Sequence, residues 1–414
     1  MGRISMEAIA SRRRISAALG TTLLTQAIAS AAVLAPTVVA PLIASAWGMS
    51  VALIGVYISV VYVSAMVASV LSGPAIGAIG GIRMSQLCLL VCAAGLCLIA
   101  SASLALAALG AVLVGFAYGP LTPASSDVLI RAAPPRRMSV IYSLKQTGVP
   151  LGGVLAGLLL PAVALWAGWN WALVAIAAAC VACAIVMTPF RTALDGDLTG
   201  QAVRPRMRVM FDPVTLILRN RNLRTLAIGS LVLSGTQVSF SVYLVTFLTQ
   251  SLHWQIVAAG VALSVSQAFG AVGRVLWGWI ADTDVGAKRT LIVLTTAMTA
   301  SSLSVLAIDA STPGWIVVAL MAAFGTTAVG WNGVYLAAIA RLAPSGQTAF
   351  VTGGALAFTY LGVVIGPPMF GAIAEASGSF SVAFSLLAVP LLLCAFLLLG
   401  LDDPRRAAAE DPRA

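Results

Sequence analysis

The stretch GRVLWGWIADTDVGAKR, residues 273–289, decides how the chain is read. Its first part continues an apolar run that begins near Ile256, and one arginine, Arg274, sits inside that run a turn before Gly278. The run then breaks into a polar loop carrying Asp282, Gly286, Lys288 and Arg289. An apolar run of about 20 residues is what a helix needs to cross the hydrocarbon of a bilayer. The loop therefore lies at a membrane face. Arg274, four residues before Gly278, lies ~6 Å further in along the helix axis.

Composition agrees with that reading. Of 414 residues 60% are hydrophobic and only 9% charged, whereas soluble domains carry about a quarter charged residues. The chain is read as an integral membrane protein surrounded by lipid. A net charge of +10 in a soluble protein would suggest nucleic acid as a partner. Here the basic residues cluster in short polar segments between long apolar runs, which is the positive-inside pattern of membrane proteins and not a nucleic-acid surface. Cys88, Cys92, Cys97, Cys180, Cys183 and Cys394 all fall within apolar runs and read as small buried hydrophobes. No phosphate-binding P-loop, metal cluster or nucleophile with a histidine partner occurs, and the chain has one histidine. An enzyme, an ATP-driven pump on this chain alone, a cofactor and a bound metal are therefore not expected.

Twelve apolar runs divide the chain. Six lie within residues 1–190, near 15–44, 51–72, 84–103, 104–130, 138–166 and 171–190. The first is too long for a signal-peptide core and is read as a retained span. Residues 191–222 form the longest polar segment, rich in arginine, and read as a linker. Six further runs occupy 223–401, near 223–249, 256–280, 290–309, 314–340, 347–374 and 381–401, before a tail at 402–414. Every Lys and Arg except Lys145 and Arg274 falls in a segment that this scheme puts on one side. Linker and both termini are accordingly expected in the cytoplasm, with the protein in the cytoplasmic (inner) membrane.

The two sets of six look like copies. At an offset of 205 residues Gly55 meets Gly260, Ser59 meets Ser264, Gly73 meets Gly278, Gly81 meets Gly286 and Arg83 meets Lys288. At 210, Arg131 meets Arg341, Pro134 meets Pro344 and Gly152 meets Gly362. An insertion near the third span of the second half accounts for the change.

The loop of residues 278–289 resembles the cytoplasmic loop motif of the major facilitator superfamily, roughly G-x-x-x-D-x-x-x-G-x-K/R-R, in its second-half copy. The resemblance implies an all-α fold of twelve transmembrane helices in two six-helix bundles related by a pseudo-two-fold repeat. It also implies transport by alternating access, with the ligand path between the bundles, and a gating role for Gly278, Asp282, Gly286, Lys288 and Arg289. The first-half copy is degenerate, with Gly77 where the family carries aspartate, and Asp127 near the inner end of the fourth span is the candidate for the charge on that side. The fourth span, GAVLVGFAYGP, lacks the intramembrane arginine of many proton-coupled members. KQTGVPLGG and GVVIGPP resemble the fifth-helix element of drug exporters, but small residues also let helices approach closely in lipid, and that reading is preferred.

Intramembrane charge points to the cargo. A lone ionised side chain at the bilayer centre costs ~2.5–3.5 kcal/mol on insertion scales, so such groups face a cavity or a partner. Lys145 lies about 10 Å into the fifth span, counted from Met138. Arg274 either pairs with Asp282 or reaches the headgroups, or it binds substrate. The last follows from resemblance to the monocarboxylate and oxalate/formate carriers, where an arginine at this place on the eighth span holds the carboxylate. No Asp or Glu lies near the middle of a span, so a cavity lined by these cations favours an anion. Gln237 and Asn332 are the best uncharged candidates, with Gln26 and Tyr243 beside them. The expected function is secondary transport of a small organic anion, a carboxylate first, with an exporter of drugs or metabolites as the alternative. The expected partners are that anionic small molecule, the lipid bilayer and, in a symport mechanism, a co-transported proton. The protein is expected to be monomeric and to bind no nucleic acid.

Overall fold

The computed structural model describes residues 2–101, 103–132, 141, 144–195, 212–343 and 348–402. Residues 196–211 of the 191–222 linker and the tail after 402, where several of the clustered cations fall, lie outside the described residues. Among the described residues, twelve helices are long and apolar enough to cross a membrane. In the first half these are α1 (Arg13–Val38), α2 (Val51–Ile79), α3 (Gly81–Ala100), α4 (Leu104–Ala132), α5 (Leu144–Ala167) and α6 (Trp169–Asp195). In the second half they are α7 (Arg221–Gln250), α8 (Ile256–Asp282), α9 (Gly286–Ala307), α10 (Gly314–Ile339), α11 (Val351–Ser377) and α12 (Phe380–Leu399). Helices are the expected solution, because hydrocarbon offers no water to satisfy backbone N–H and C=O groups.

Most boundaries fall within a few residues of those expected from the sequence, and α2 differs most. It continues through Pro74 to Ile79, where the apolar run alone suggested an end at Ser72. With Gly77 in place of an acid, nothing polar stops the helix until Gly80. That residue turns the chain with φ +93°, a conformation glycine adopts at no steric cost. Gly286, at φ +76°, makes the corresponding turn before α9. The conformational counterpart of Gly286 is therefore Gly80 and not Gly81, one residue from the pairing by offset.

Packing repeats as the sequence does. A Cβ built on Gly115 of α4 would lie 2.2 Å from the carbonyl oxygen of Val61 in α2, and one on Gly325 of α10 would lie 2.2 Å from that of Ser266 in α8. Likewise Gly152 of α5 would meet the Ala27 carbonyl of α1 at 2.4 Å, and Gly362 of α11 the Leu231 carbonyl of α7 at 2.0 Å. The glycines are related by 210 residues and their partners by about 205, the two offsets read from the sequence. Between lipid-exposed helices apolar burial gives no drive to associate, so contact rests on backbones approaching this closely. The glycine-rich stretches of α5 and α11 are thus packing surfaces, as preferred from the sequence.

α4 and α10 are each interrupted. α4 is helical over Leu104–Tyr118 and again over Leu121–Ala132, and α10 over Gly314–Ala328 and Trp331–Leu342. The chain groups into two compact units, one of Met1–Pro36 with Val60–Pro205, the other of Thr37–Ser59 with Arg206–Ala414. Thr37–Ser59 joins the second unit through buried bonds. The Tyr243 hydroxyl in α7 lies 2.7 Å from the Ala52 carbonyl and 3.1 Å from that of Pro367, and the Ser59 hydroxyl donates to the Val364 carbonyl at 2.5 Å.

Gly362 and Gly353 lie on the same helix, and a Cβ on Gly353 would meet nothing within 4 Å. Gly362→Ala should therefore destabilise the purified protein by ~1–3 kcal/mol, the usual cost of overpacking. Gly353→Ala should leave the thermal midpoint unchanged or slightly raised. Equal midpoints for the two variants would refute the close-approach account of the α7–α11 contact.

Candidate substrate site and gate

In the second unit the site grows from the break in α10. Gly270 and Gly273 of α8 pack against Val329 and Thr326, and Gly330 lies against Trp277, so the two helices touch along bare backbone where α10 is interrupted. An interrupted helix leaves carbonyls without intrahelical donors. α8 supplies donors to that region from one face, i and i+3. The Arg274 Nε donates to the Val329 carbonyl at 3.1 Å, and the Trp277 Nε1 donates to the Thr326 carbonyl at 3.1 Å. Arg274 is half-buried, and Asp282, the acid four residues beyond Gly278, pairs with Arg341 at 2.9 Å.

The segment after the break brings further candidates together. The Trp331 Nε1 donates to the Gln237 Oε1 at 2.9 Å. An indole N–H can only donate, so this contact fixes the amide orientation and leaves the Gln237 NH₂ as a donor. Trp331 is fully buried and meets Tyr335 edge to face at 5.4 Å. Asn332, the next residue, is half-buried. Tyr243 is placed otherwise. It is fully buried, its hydroxyl is engaged by the Ala52 and Pro367 carbonyls, and its ring stacks on Phe370 at 4.6 Å.

In the first unit Lys145 stands at the start of α5 with only 1% of its surface exposed. One turn later Gly148 lies against Gln26, a Cβ there falling 2.9 Å from the Gln26 Cβ. Gln26 is 2% exposed. Its Nε2 reaches the Ser30 Oγ and the Tyr118 hydroxyl, both at 3.4 Å, while its Oε1 has no hydrogen-bond partner among the described residues. Tyr118 in turn meets Tyr62 edge to face at 5.9 Å. Turning the amide over would exchange its two ends and still leave one buried polar atom unsatisfied, which is costly unless something else satisfies it.

The residues expected from the sequence to gate form two unlike networks. In the second unit the Lys288 Nζ caps the end of α12 by donating to the Leu399 carbonyl at 2.9 Å. Arg289 is exposed, and Gly278 faces open space, as its counterpart Gly73 does. In the first unit Asp127 pairs with Arg131 one helical turn on, at 2.9 Å. Arg131 also donates to the backbone carbonyl of Asp195 at 3.0 Å. The Asp195 carboxylate, 3% exposed, accepts the backbone N–H groups of Ile82 at 2.7 Å and Arg83 at 3.2 Å. It caps the N-terminus of α3, where a negative charge is favoured by the helix dipole. Sequence reasoning missed Asp195. The available signal was the missing loop acid at Gly77 together with the acids Asp195 and Asp197 just after the sixth apolar run.

Residues 22–354 match the sequence model of the Major Facilitator Superfamily. The chain belongs to the Major Facilitator Superfamily. It is an integral membrane transporter and not an enzyme. Monocarboxylate transporter 13 of Bos taurus is 27% identical over 269 residues, 64% of this chain and 59% of that protein. An uncharacterised MFS-type transporter of Mycobacterium tuberculosis is 26% identical over 301 residues, 70% of this chain and 65% of that one. The matched regions thus span about three fifths of the relatives' lengths. Among solved structures, a bacterial homologue of the human lysosomal transporter Spinster superposes with a TM-score of 0.73 at 15% identity, over 96% of this chain and 98% of that one. The nucleoside transporter NupG gives 0.75 at 16% identity, over 94% and 99%. At those identities the likeness is one of fold.

Within this superfamily member the two acids should differ in what they contribute to stability. Asp195→Ala removes a buried cap and should cost ~1–2 kcal/mol, with Asp195→Asn recovering part because an amide oxygen still accepts one N–H. Asp282→Ala breaks a pair whose acid is 70% exposed and should cost under ~1 kcal/mol. Thermal unfolding in detergent micelles checks the order, and equal losses would show that the first-unit network is not a structural cap.

Proposed function

We propose that this transporter is a secondary carrier of a small organic anion, a monocarboxylate in the first instance, working by alternating access. The observation that carries the reading is the burial of Lys145. A cation 1% exposed sits in an apolar span, and among the described residues no acid stands near the middle of any span. Such a cation sets a positive potential in the span and favours a negatively charged cargo. Arg274 supports the reading from the second half, because a guanidinium presents a planar fork suited to a carboxylate. Gln237 and Asn332 add amide donors, and Gln26 adds a buried amide with an unsatisfied end. The similarity to a protein named as a monocarboxylate transporter points the same way.

The clustering of cations between spans supports a cytoplasmic location for the 191–222 linker and both termini, in an inner membrane. The carrier is proposed to act as a monomer and to balance the anion's charge by proton symport or by exchange. Asp282, Gly286, Lys288 and Arg289, with Asp127 on the other half, are its proposed gate.

Uptake of labelled monocarboxylates and dicarboxylates into proteoliposomes tests the proposal. Removing one charge-assisted contact forfeits ~1.5–3 kcal/mol, which is on the order of a 10- to 100-fold loss of apparent affinity. Arg274→Ala and Lys145→Met should each show that loss for the best substrate, with Arg274→Lys in between. Wild-type rates in both variants would sink the anion reading. A wild type that carries no carboxylate but confers resistance to lipophilic drugs would establish the export alternative instead.

A further inference from the structure

At the basic end of the second unit α7 begins where α12 ends. The two helices pack with Gly229 against Cys394 and Leu398, and a Cβ on Gly400 would lie 3.5 Å from the Arg221 guanidinium. Between them opens a groove of about 550 Å³, within the ~300–1,000 Å³ typical of small-molecule sites. Arg221, Arg224, Thr225 and Ile228 line it from α7, and Phe396 and Gly400 are on the α12 side. The α7 residues are spaced i, i+3, i+4 and i+7, so they make one stripe, cationic at its start and apolar one turn deeper.

Three features mark the groove. Its two guanidiniums lie together with no carboxylate paired to them among the described residues. The acid that follows α12, Asp402, accepts instead from the Asn222 side chain at 3.1 Å. The start of α7 adds the positive end of a helix dipole to the same place. Its apolar wall faces away from the protein, with Phe396 74% exposed while Cys394 and Leu398 behind it are buried. Two cations at a helix start, opening onto an outward apolar wall, match a ligand with an anionic head and a hydrocarbon tail. Basic pockets at the membrane face are known as a means of recognising lipid headgroups.

We propose that this groove binds an anionic phospholipid, with Arg221 and Arg224 on the phosphodiester and an acyl chain along Ile228 and Phe396. The site is separate from the residues proposed to hold the transported anion. Its small floor depends on Gly400, where a larger side chain would fill the space below the guanidiniums. Lys288 of the gate loop holds the Leu399 carbonyl next to that floor, so the α12 wall is also tied to the gate loop.

The test uses full-length protein in neutral detergent, without substrate, and reads the thermal midpoint as probe is added. Phosphatidylglycerol should raise the midpoint saturably, as a ligand of the folded state does. Phosphatidylcholine with the same chains and inorganic phosphate at equal concentration should not. Arg221→Gln with Arg224→Gln should abolish the rise, and Gly400→Leu, which keeps both charges, should reduce it several-fold by filling the groove. Arg274→Ala should retain the full rise, which separates this proposal from the anion-carrier reading. The proposal is overturned if phosphatidylcholine matches phosphatidylglycerol, if inorganic phosphate alone reproduces the rise, or if Gly400→Leu and whichever arginine variant folds both keep it.

Discussion

Helices in lipid gain nothing by burying apolar surface against one another, so this fold depends on places where one helix presses bare backbone onto another. Gly115 against the Val61 carbonyl and Gly325 against the Ser266 carbonyl are the same contact made twice. Gly152 against Ala27 and Gly362 against Leu231 are a second such pair. A side chain at any of these positions would push the helices apart and take the polar groups of the site with them. The repeat is therefore more than a trace in the sequence, since it states which helix pairs each half must hold in contact.

Against that repeated frame the polar residues are unequal, and the inequality is where function enters. Arg274 and Trp277 donate to carbonyls at the break in α10, while the positions 205 residues earlier are Ser69 and Ser72. Conversely Lys145 is buried in α5, and 210 residues later stands Ala355. These two cations occupy different helices of the repeat, α5 and α8. Structural need alone would place such groups symmetrically.

Much of this was legible in the sequence, for physical reasons. The hydrocarbon fixes the length of a span, so twelve apolar runs gave twelve helices, and the excess of cations between them marked the polar segments. Glycine matches at two offsets carried over directly into contacts. What the sequence hid were partners distant in the chain. Nothing local announces that Trp331 bonds Gln237, that Tyr243 ties α7 to Ala52, or that Asp195 caps α3, because each bond joins residues about a hundred or more apart. Tyr243 reads from the sequence as one more polar group at mid-span, and only its partners reveal a packing role. The end of α2 was misplaced because apolar composition marks where lipid ends, whereas the helix stops where a residue with positive φ turns it.

The acids of the two loop regions are held in different ways. Both halves place an arginine near the end of an interrupted helix, Arg131 on α4 and Arg341 on α10, and both bring it to an acid or to the backbone of one. In the first half the loop acid is absent and Asp195 holds the start of α3 from a buried position, 3% exposed. A buried carboxylate bonded to two backbone N–H groups is expensive to release, since both ends would lose their partners. In the second half Asp282 is 70% exposed and faces Arg341 across a surface pair, which is worth ~0–1 kcal/mol and breaks at little cost. The two acids thus make bonds of unequal cost, one cheap to break and one not. The intact loop motif of residues 278–289 lies with the exposed pair, and the half that has Gly77 in place of the loop acid carries the buried cap of Asp195.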